Sequence, residues 1–293
     1  MTNQQALVLQ CRRPIQLLAL FISSVVAPRQ PKFCRLCHHP AVPEARRDAV
    51  SRLKSQLYLE RNTQLAHTYW HRSLQPGDIV LDATCGNGHD TLALAEYIGA
   101  PISGTLIALD IQERAIVRTR DRLLEMFQSK FGSVPVHVFS EYAEGSLRCR
   151  LWTESGFVGE IRQHRHEQID RELLYRWLQD RRDVSAGIKV AAYNLGYLPG
   201  LDTDKHVRTI AGSTVQSLGR VEKLIALNGG IISISCYVGH EGGADEEAAV
   251  LGWARTLASS HWTVVAHQWL NRQKAPSLVI AQRLSNSAQY MAH

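Results

Sequence analysis

The stretch "LDATCGNGHDT", Leu81 to Thr91, sets two glycines one residue apart between a strand-like run and a helix-like one. Gly86 and Gly88 let a backbone fold tightly and approach a ligand with no Cβ in the way. The first N–H groups of the helix that follows have no intrahelical partner and face that ligand. The dinucleotide pattern GxGxxG needs a third glycine at 91, where Thr91 stands, so a pyrophosphate is disfavoured. The glycines alone do not say which nucleotide is held.

Outward from the turn, strand-like and helix-like segments alternate. Ile79 to Ala83 is a short apolar strand, and Asp90 to Ile98 a helix closed by Gly99 and Pro101. Further strands are expected at "GTLIALDI" (104–111), "VPVHVFSE" (134–141), "IKVAAYNLG" (188–196) and "GGIISISCY" (229–237). Helices are expected at 45–74, 112–127, 169–178, 214–227 and 246–257. Strands spaced by helices imply a mostly parallel α/β sheet covered on both faces. "WTVVAHQWL" (262–270) and "SLVIAQRL" (277–284) have no helix between them. They imply a closing hairpin, hence seven strands with the last antiparallel.

Composition bounds the partners. The 293 residues carry a formal charge of +6, of which residues 1–45 hold +4, through Arg12, Arg13, Arg29, Lys32 and Arg35 against Glu44. A body of only +2 makes any RNA site a local patch rather than a property of net charge. The leader, acid-free up to Glu44, resembles an organellar targeting peptide; residues 46–293 then form one catalytic domain. Its apolar run from Ile15 to Ala27 is too short to span a bilayer and could also serve as a secretory h-region. Six scattered cysteines are no disulfide framework, which argues against secretion. Cys34 and Cys37 have the spacing of half a zinc site or of a haem attachment; no second pair follows, and no metal is expected.

Asp110 closes the second strand, where a carboxylate suits a ribose diol in NAD and S-adenosylmethionine sites alike; a solvated strand-end acid is the competing reading. The fourth strand runs into "NLGYLPG", Asn194 to Gly200, at the same sheet edge as the glycine turn. An amide, a glycine, an aromatic and a proline suit a flat base with an exocyclic nitrogen. The Tyr-x-x-x-Lys of a dehydrogenase is missing after this strand, as are GxSxG and a Walker loop. In "GHEGG" (239–243), Ala244 stands where HExxH needs histidine, so the segment is read as shaping the substrate mouth.

Taken together, "AHTYW", "PGDIVLDATCGNGHDTLALA", "ALDIQERAI", "AAYNLGYLPG", "GGIISISCYVGHEGG" and "LNRQKAPSLVIA" resemble the MnmM (YtqB-like) family over roughly residues 60–284. These are class I S-adenosylmethionine-dependent methyltransferases of Rossmann-like fold, long labelled rRNA methylases. The resemblance implies methylation of the amine of 5-aminomethyl-2-thiouridine at the tRNA wobble position, with rRNA or a small amine as the alternative acceptor. It implies Asn194 and Tyr197 as catalytic residues, the Asn194 oxygen accepting an amine N–H and Tyr197 walling the base. Asp82, Cys85, Gly86, Asn87, Gly88, Asp110, Ile111 and Gln112 are expected to line the cofactor. Tyr69 and Trp70 are expected either over the methionine end or in the core. The anticodon region of tRNA is the expected partner, with no membrane; a homodimer is compatible with the reading. The leader implies a plastid before a mitochondrion, or the cytoplasm if it is no signal. Residues 143–165 exceed the family's connection after strand three and read as a surface insertion, blurring the adenine-side contact expected at Ser140 or Glu141.

Overall fold

Strand β1, Ile79–Asp82, is buried at all four positions, as a central parallel strand must be when helices cover both faces. In a computed structural model, which describes residues 61–132, 134–178, 186–198 and 206–285, β1 pairs in parallel with β2 (Thr105–Asp110) and β6 (Val190–Leu195). Two further strands, β7 (Ile231–Cys236) and β9 (Ser277–Arg283), carry the sheet on, β9 running antiparallel to both β7 and the outermost β8 (Trp262–His267). The reversed closing hairpin expected from the missing helix is therefore present.

One layer of helices comprises α1 (Asn62–Ser73), α2 (His89–Tyr97) and α3 (Glu113–Phe131), packed on Val80, Leu106 and Ile161. In α3 the buried residues Ala115, Ile116, Thr119, Leu123, Met126 and Phe127 recur at helical spacing and define its inner face. The opposite layer comprises α4 (Arg171–Trp177), α5 (Ala211–Val221) and α6 (Gly243–Thr256), packed on Leu81, Ile107 and Ile234. The expected helix over 45–74 is seen from Asn62; its earlier part, the leader, Cys34 and Cys37 lie outside the described residues. Cys85, Cys149 and Cys236 are buried free thiols. Among the described residues no helix is long and apolar enough to cross a membrane.

The insertion departs from expectation. Residues 143–165 are not a surface loop but build β4 (Ser146–Trp152) and β5 (Val158–Gln163), which with β3 (His137–Ala143) give a nine-stranded sheet in the order β3-β4-β5-β2-β1-β6-β7-β9-β8. The seven-stranded frame stands, but β5, not "VPVHVFSE", occupies the place beside β2 in parallel register from Thr105↔Val158 to Asp110↔Gln163. The expected third strand is β3 (His137–Ala143), the sheet edge. The physical reason lies in burial. β3 has no fully buried position, whereas Gly159, Glu160 and Ile161 of β5 are buried between two neighbours. A tight turn joins β3 to β4, with Glu144 at φ 53° and Gly145 at φ 77°, the primed hairpin geometry whose twist matches that of the strands. β4 then alternates buried Leu147, Cys149 and Leu151 with Arg148 and Arg150 on the opposite face.

Candidate active site

The turn after β1 is fixed by carboxylates beneath and beside it. Asp82 is fully buried; its Oδ2 accepts the Thr91 hydroxyl at 2.6 Å and its Oδ1 the Thr84 N–H at 3.2 Å. Burial pushes its carboxyl up to about 7, against these two hydrogen bonds, with Asp90 and Asp110 adding repulsion. Asp82 thus braces the turn from below rather than standing on its surface. Asp110 accepts the Gly86 N–H on Oδ2 (3.0 Å) and the Gln112 N–H on Oδ1 (2.8 Å), clasping the turn to the start of α3. Burial raises its carboxyl above the usual range, and those N–H groups oppose the shift. Cys85 is buried, donates its N–H to the Leu109 carbonyl at 2.8 Å, and accepts the Gly88 N–H at 2.7 Å.

Gly86 and Gly88 adopt φ of 51° and 81°, a conformation that strains any other residue, and both are tightly surrounded. A Cβ on Gly88 would stand 3.0 Å from the Thr119 backbone, and one on Gly86 3.2 Å from Leu198. Asn87 is held by Arg118 at 2.8 Å, the Gln112 side chain by Arg114 at 2.8 Å, and the Ile111 side chain is exposed. The adenine-side contact was expected at Ser140 or Glu141. Those residues lie on β3, two strands beyond β5, while Gln163 and His164 adjoin Asp110: His164 donates its N–H to the Asp110 carbonyl at 2.9 Å, and Gln163 Nε2 reaches the Ile111 carbonyl at 3.1 Å.

The "NLGY" loop meets this turn, as its place at the end of β6 requires. The Asn194 N–H donates to the Thr84 hydroxyl at 2.7 Å, and Leu198 packs against Gly86. The Asn194 carboxamide Nδ2 donates to Asp90 Oδ2 at 2.5 Å, and Asp90 Oδ1 lies 2.6 Å from His67 Nε2 on α1. A carboxylate only accepts, so the amide's NH2 end points to Asp90 and its oxygen is left for another donor. Tyr197 is partly exposed and sets its ring edge-on to His240 at 5.8 Å. Pro199 and Gly200 of the same motif lie outside the described residues.

Several side chains at the site carry roles the sequence did not announce. Gly196, at φ 139°, donates its N–H to the Thr209 hydroxyl at 2.7 Å, which donates to buried Glu246 at 2.8 Å; Thr214 donates to the other Glu246 oxygen at 2.6 Å. This chain fixes the loop that carries Tyr197. Tyr237 follows β7 and is partly exposed; burial chiefly, and then the charge of Asp90, raises its pKa. His240 of "GHEGG" packs under Gly196, its Nε2 3.2 Å from where a Cβ would stand. Trp70 is core, 2% exposed, while the Tyr69 hydroxyl meets His267 at 2.8 Å. Of these, only Asp90 lies inside the quoted glycine motif, and its partners are 23 and 104 residues away.

Three carboxylates, Asp82, Asp90 and Asp110, converge on a turn whose two glycines hold positive φ, beside an exposed aliphatic surface at Ile111. Such a setting suits a ligand with positive charge, a ribose and a flat base. Residues 158–283 match the family model described as "Putative rRNA methylase". The "tRNA (mnm(5)s(2)U34)-methyltransferase, chloroplastic" of Arabidopsis thaliana is 32% identical over 230 residues, 78% of this chain and 71% of that protein. Two solved structures share the fold at 24% identity, each covering 77% of this chain and 99% of the other. One is the "putative rRNA-methylase" from Clostridium thermocellum, with a TM-score of 0.57; the other, at 0.54, is a "putative methyltransferase" from Streptococcus mutans in complex with SAH. The chain, glycine turn and Asn-Leu-Gly-Tyr loop included, belongs to the MnmM-like family of class I methyltransferases.

Proposed function

We infer that this chain is an S-adenosylmethionine-dependent tRNA methyltransferase that acts on the aminomethyl group of 5-aminomethyl-2-thiouridine at the wobble position. The observation that carries the reading is the Asn194 carboxamide, its NH2 end held by Asp90 and its oxygen left for another donor, in the loop that meets the glycine turn and carries the partly exposed Tyr197. The Arabidopsis relative's name supports both the acceptor and the reaction.

S-adenosylmethionine supplies an electrophilic methyl group on a sulfonium. Asp110 would hold its ribose, Ile111 and the Gln163–His164 edge its adenine, and the N–H groups at the start of α2 its carboxylate. Cys85, Asn87 and Gln112 complete the lining, with Asp82 bracing it. Asn194 accepts one amine N–H and so aims the nitrogen lone pair; placement of this kind supplies most of the rate in a displacement that needs no metal. Tyr197 walls the base, and the rigid Gly196–Thr209–Glu246 chain keeps it in place.

Mass spectrometry of tRNA nucleosides after incubation with labelled cofactor tests the reading. One labelled methyl on the aminomethyl nitrogen is expected. Label confined to rRNA or to a free amine would replace the acceptor while leaving the chemistry.

Residues 1–45 are assigned as a plastid targeting leader, in line with the relative's chloroplastic designation. Residues 1–50 fused to a fluorescent reporter should direct it to plastids; a mitochondrial or diffuse cytosolic signal would refute the assignment.

A further inference from the structure

Asp90 is the second residue of α2, where an acid ordinarily does no more than complement the helix dipole. Here both of its oxygens are engaged by side chains from other elements. Oδ2 takes the Asn194 Nδ2–H from the end of β6, and Oδ1 takes His67 Nε2 from α1. His67 is itself held by rings, its centroid 4.7 Å from buried Trp70 and 6.3 Å from Tyr97, edge-on. The Asp90 side chain is 12% exposed and that of His67 28%, so solvent competes little for either contact.

An amide has two ends of nearly equal shape, and its terminal torsion is broad and roughly two-fold. Turned one way, Asn194 shows an amine a hydrogen-bond acceptor and fixes the lone pair toward the methyl. Turned the other, it shows an NH2 that competes for that lone pair. The backbone anchor of Asn194, its N–H on Thr84 Oγ1, does not choose between the two. A carboxylate behind the amide does choose, since it takes only the NH2 end. We propose that Asp90, locked by His67, is a positioning residue that sets the sense of the Asn194 carboxamide and thereby the aim of the acceptor amine. The inference rests on the amine-methyltransferase reading above and adds a residue to it.

The test compares Asp90→Ala, Asp90→Asn, Asn194→Ala and the Asp90→Ala/Asn194→Ala double variant in the full chain. Melting temperature, cofactor affinity, and kcat and KM for tRNA are measured on each. Loss of aim lowers kcat, so Asp90→Ala should fall roughly tenfold to a hundredfold in kcat with KM within about threefold. Asp90→Asn should stay within about threefold of wild type, because its carbonyl oxygen still accepts the Asn194 N–H. In the double variant the Asp90 substitution should add nothing to the loss from Asn194→Ala, as expected of residues acting through one another. Losses that multiply would overturn the proposal. So would an Asp90→Asn as slow as Asp90→Ala with the same drop in melting temperature, which marks a charge needed only by the helix. A folded Asp90→Ala with normal kcat also overturns it. Wild-type labelling of tRNA in the same series checks the acceptor separately; if a different amine is labelled, the four variants are compared on that amine.

Discussion

Asp82 has no exposure and a carboxyl held at about 7, whereas in an unfolded chain it titrates near 4. Between about pH 4 and pH 7 the folded state therefore binds more protons than the unfolded one. Its contribution to stability is fully present below that window and is lost as pH rises through it. Asp82→Asn keeps the shape and an acceptor for the Thr84 N–H but has no charge to bury. The melting temperature of wild type minus that of the variant should drop between pH 5 and pH 8; a constant difference would remove Asp82 from the pH response. Asn194 is expected to behave differently, since the proposed mechanism gives its oxygen the acceptor amine. Asn194→Ala should lose about 2–4 kcal/mol of transition-state stabilisation, roughly thirtyfold to a thousandfold in kcat, with cofactor affinity little changed. A single-turnover rate near normal in the folded variant would exclude it from catalysis.

The β3–β4 hairpin and β5 show what element-level patterns hide. Leu151 of β4 is fully buried against the α1–α3 layer, so Leu151→Ala should cost about 2–5 kcal/mol in denaturant titration. A true surface insertion would give a change within about 0.5 kcal/mol. The signals were present in the sequence: "SLRCRLW" alternates strictly, and Glu144-Gly145 is a two-residue hairpin turn. They were obscured because the other strands read as continuous apolar runs, and arginines at alternate positions look like a solvated loop. β5 conceals itself further by burying Glu160 at 1% exposure between Arg150 and Arg162, at 3.2 and 2.9 Å. By contrast β1, β2, β6 and β7 were legible from apolar runs, and the reversed β9 from the missing helix. At the site, the glycine turn and the "NLGY" loop were legible as local motifs. Asp90, His67 and Glu246 were not, since their roles arise only when segments up to 104 residues apart meet.

At the scale of the whole molecule, the glycine turn, Asp110 and the "NLGY" loop gather at the carboxyl ends of β1, β2 and β6. Calorimetry should accordingly find one S-adenosylmethionine per chain; tight NAD binding with no measurable S-adenosylmethionine binding would overturn the proposed function. Arg114, Arg118 and Arg122 recur every four residues along α3, with Arg118 touching the turn through Asn87. This is a local basic stripe on a body whose net charge is only slightly positive. The short covalent path from Gly88 to Asp90 has a thermodynamic meaning. On the proposed reading one short segment carries both the backbone assigned to the cofactor and the carboxylate assigned to the Asn194 amide, so ordering either end restricts the other. Linkage is reciprocal: if bound cofactor tightens tRNA affinity by some factor, bound tRNA must tighten cofactor affinity by the same factor, and the two half-saturated complexes should be scarcer than independent sites would allow.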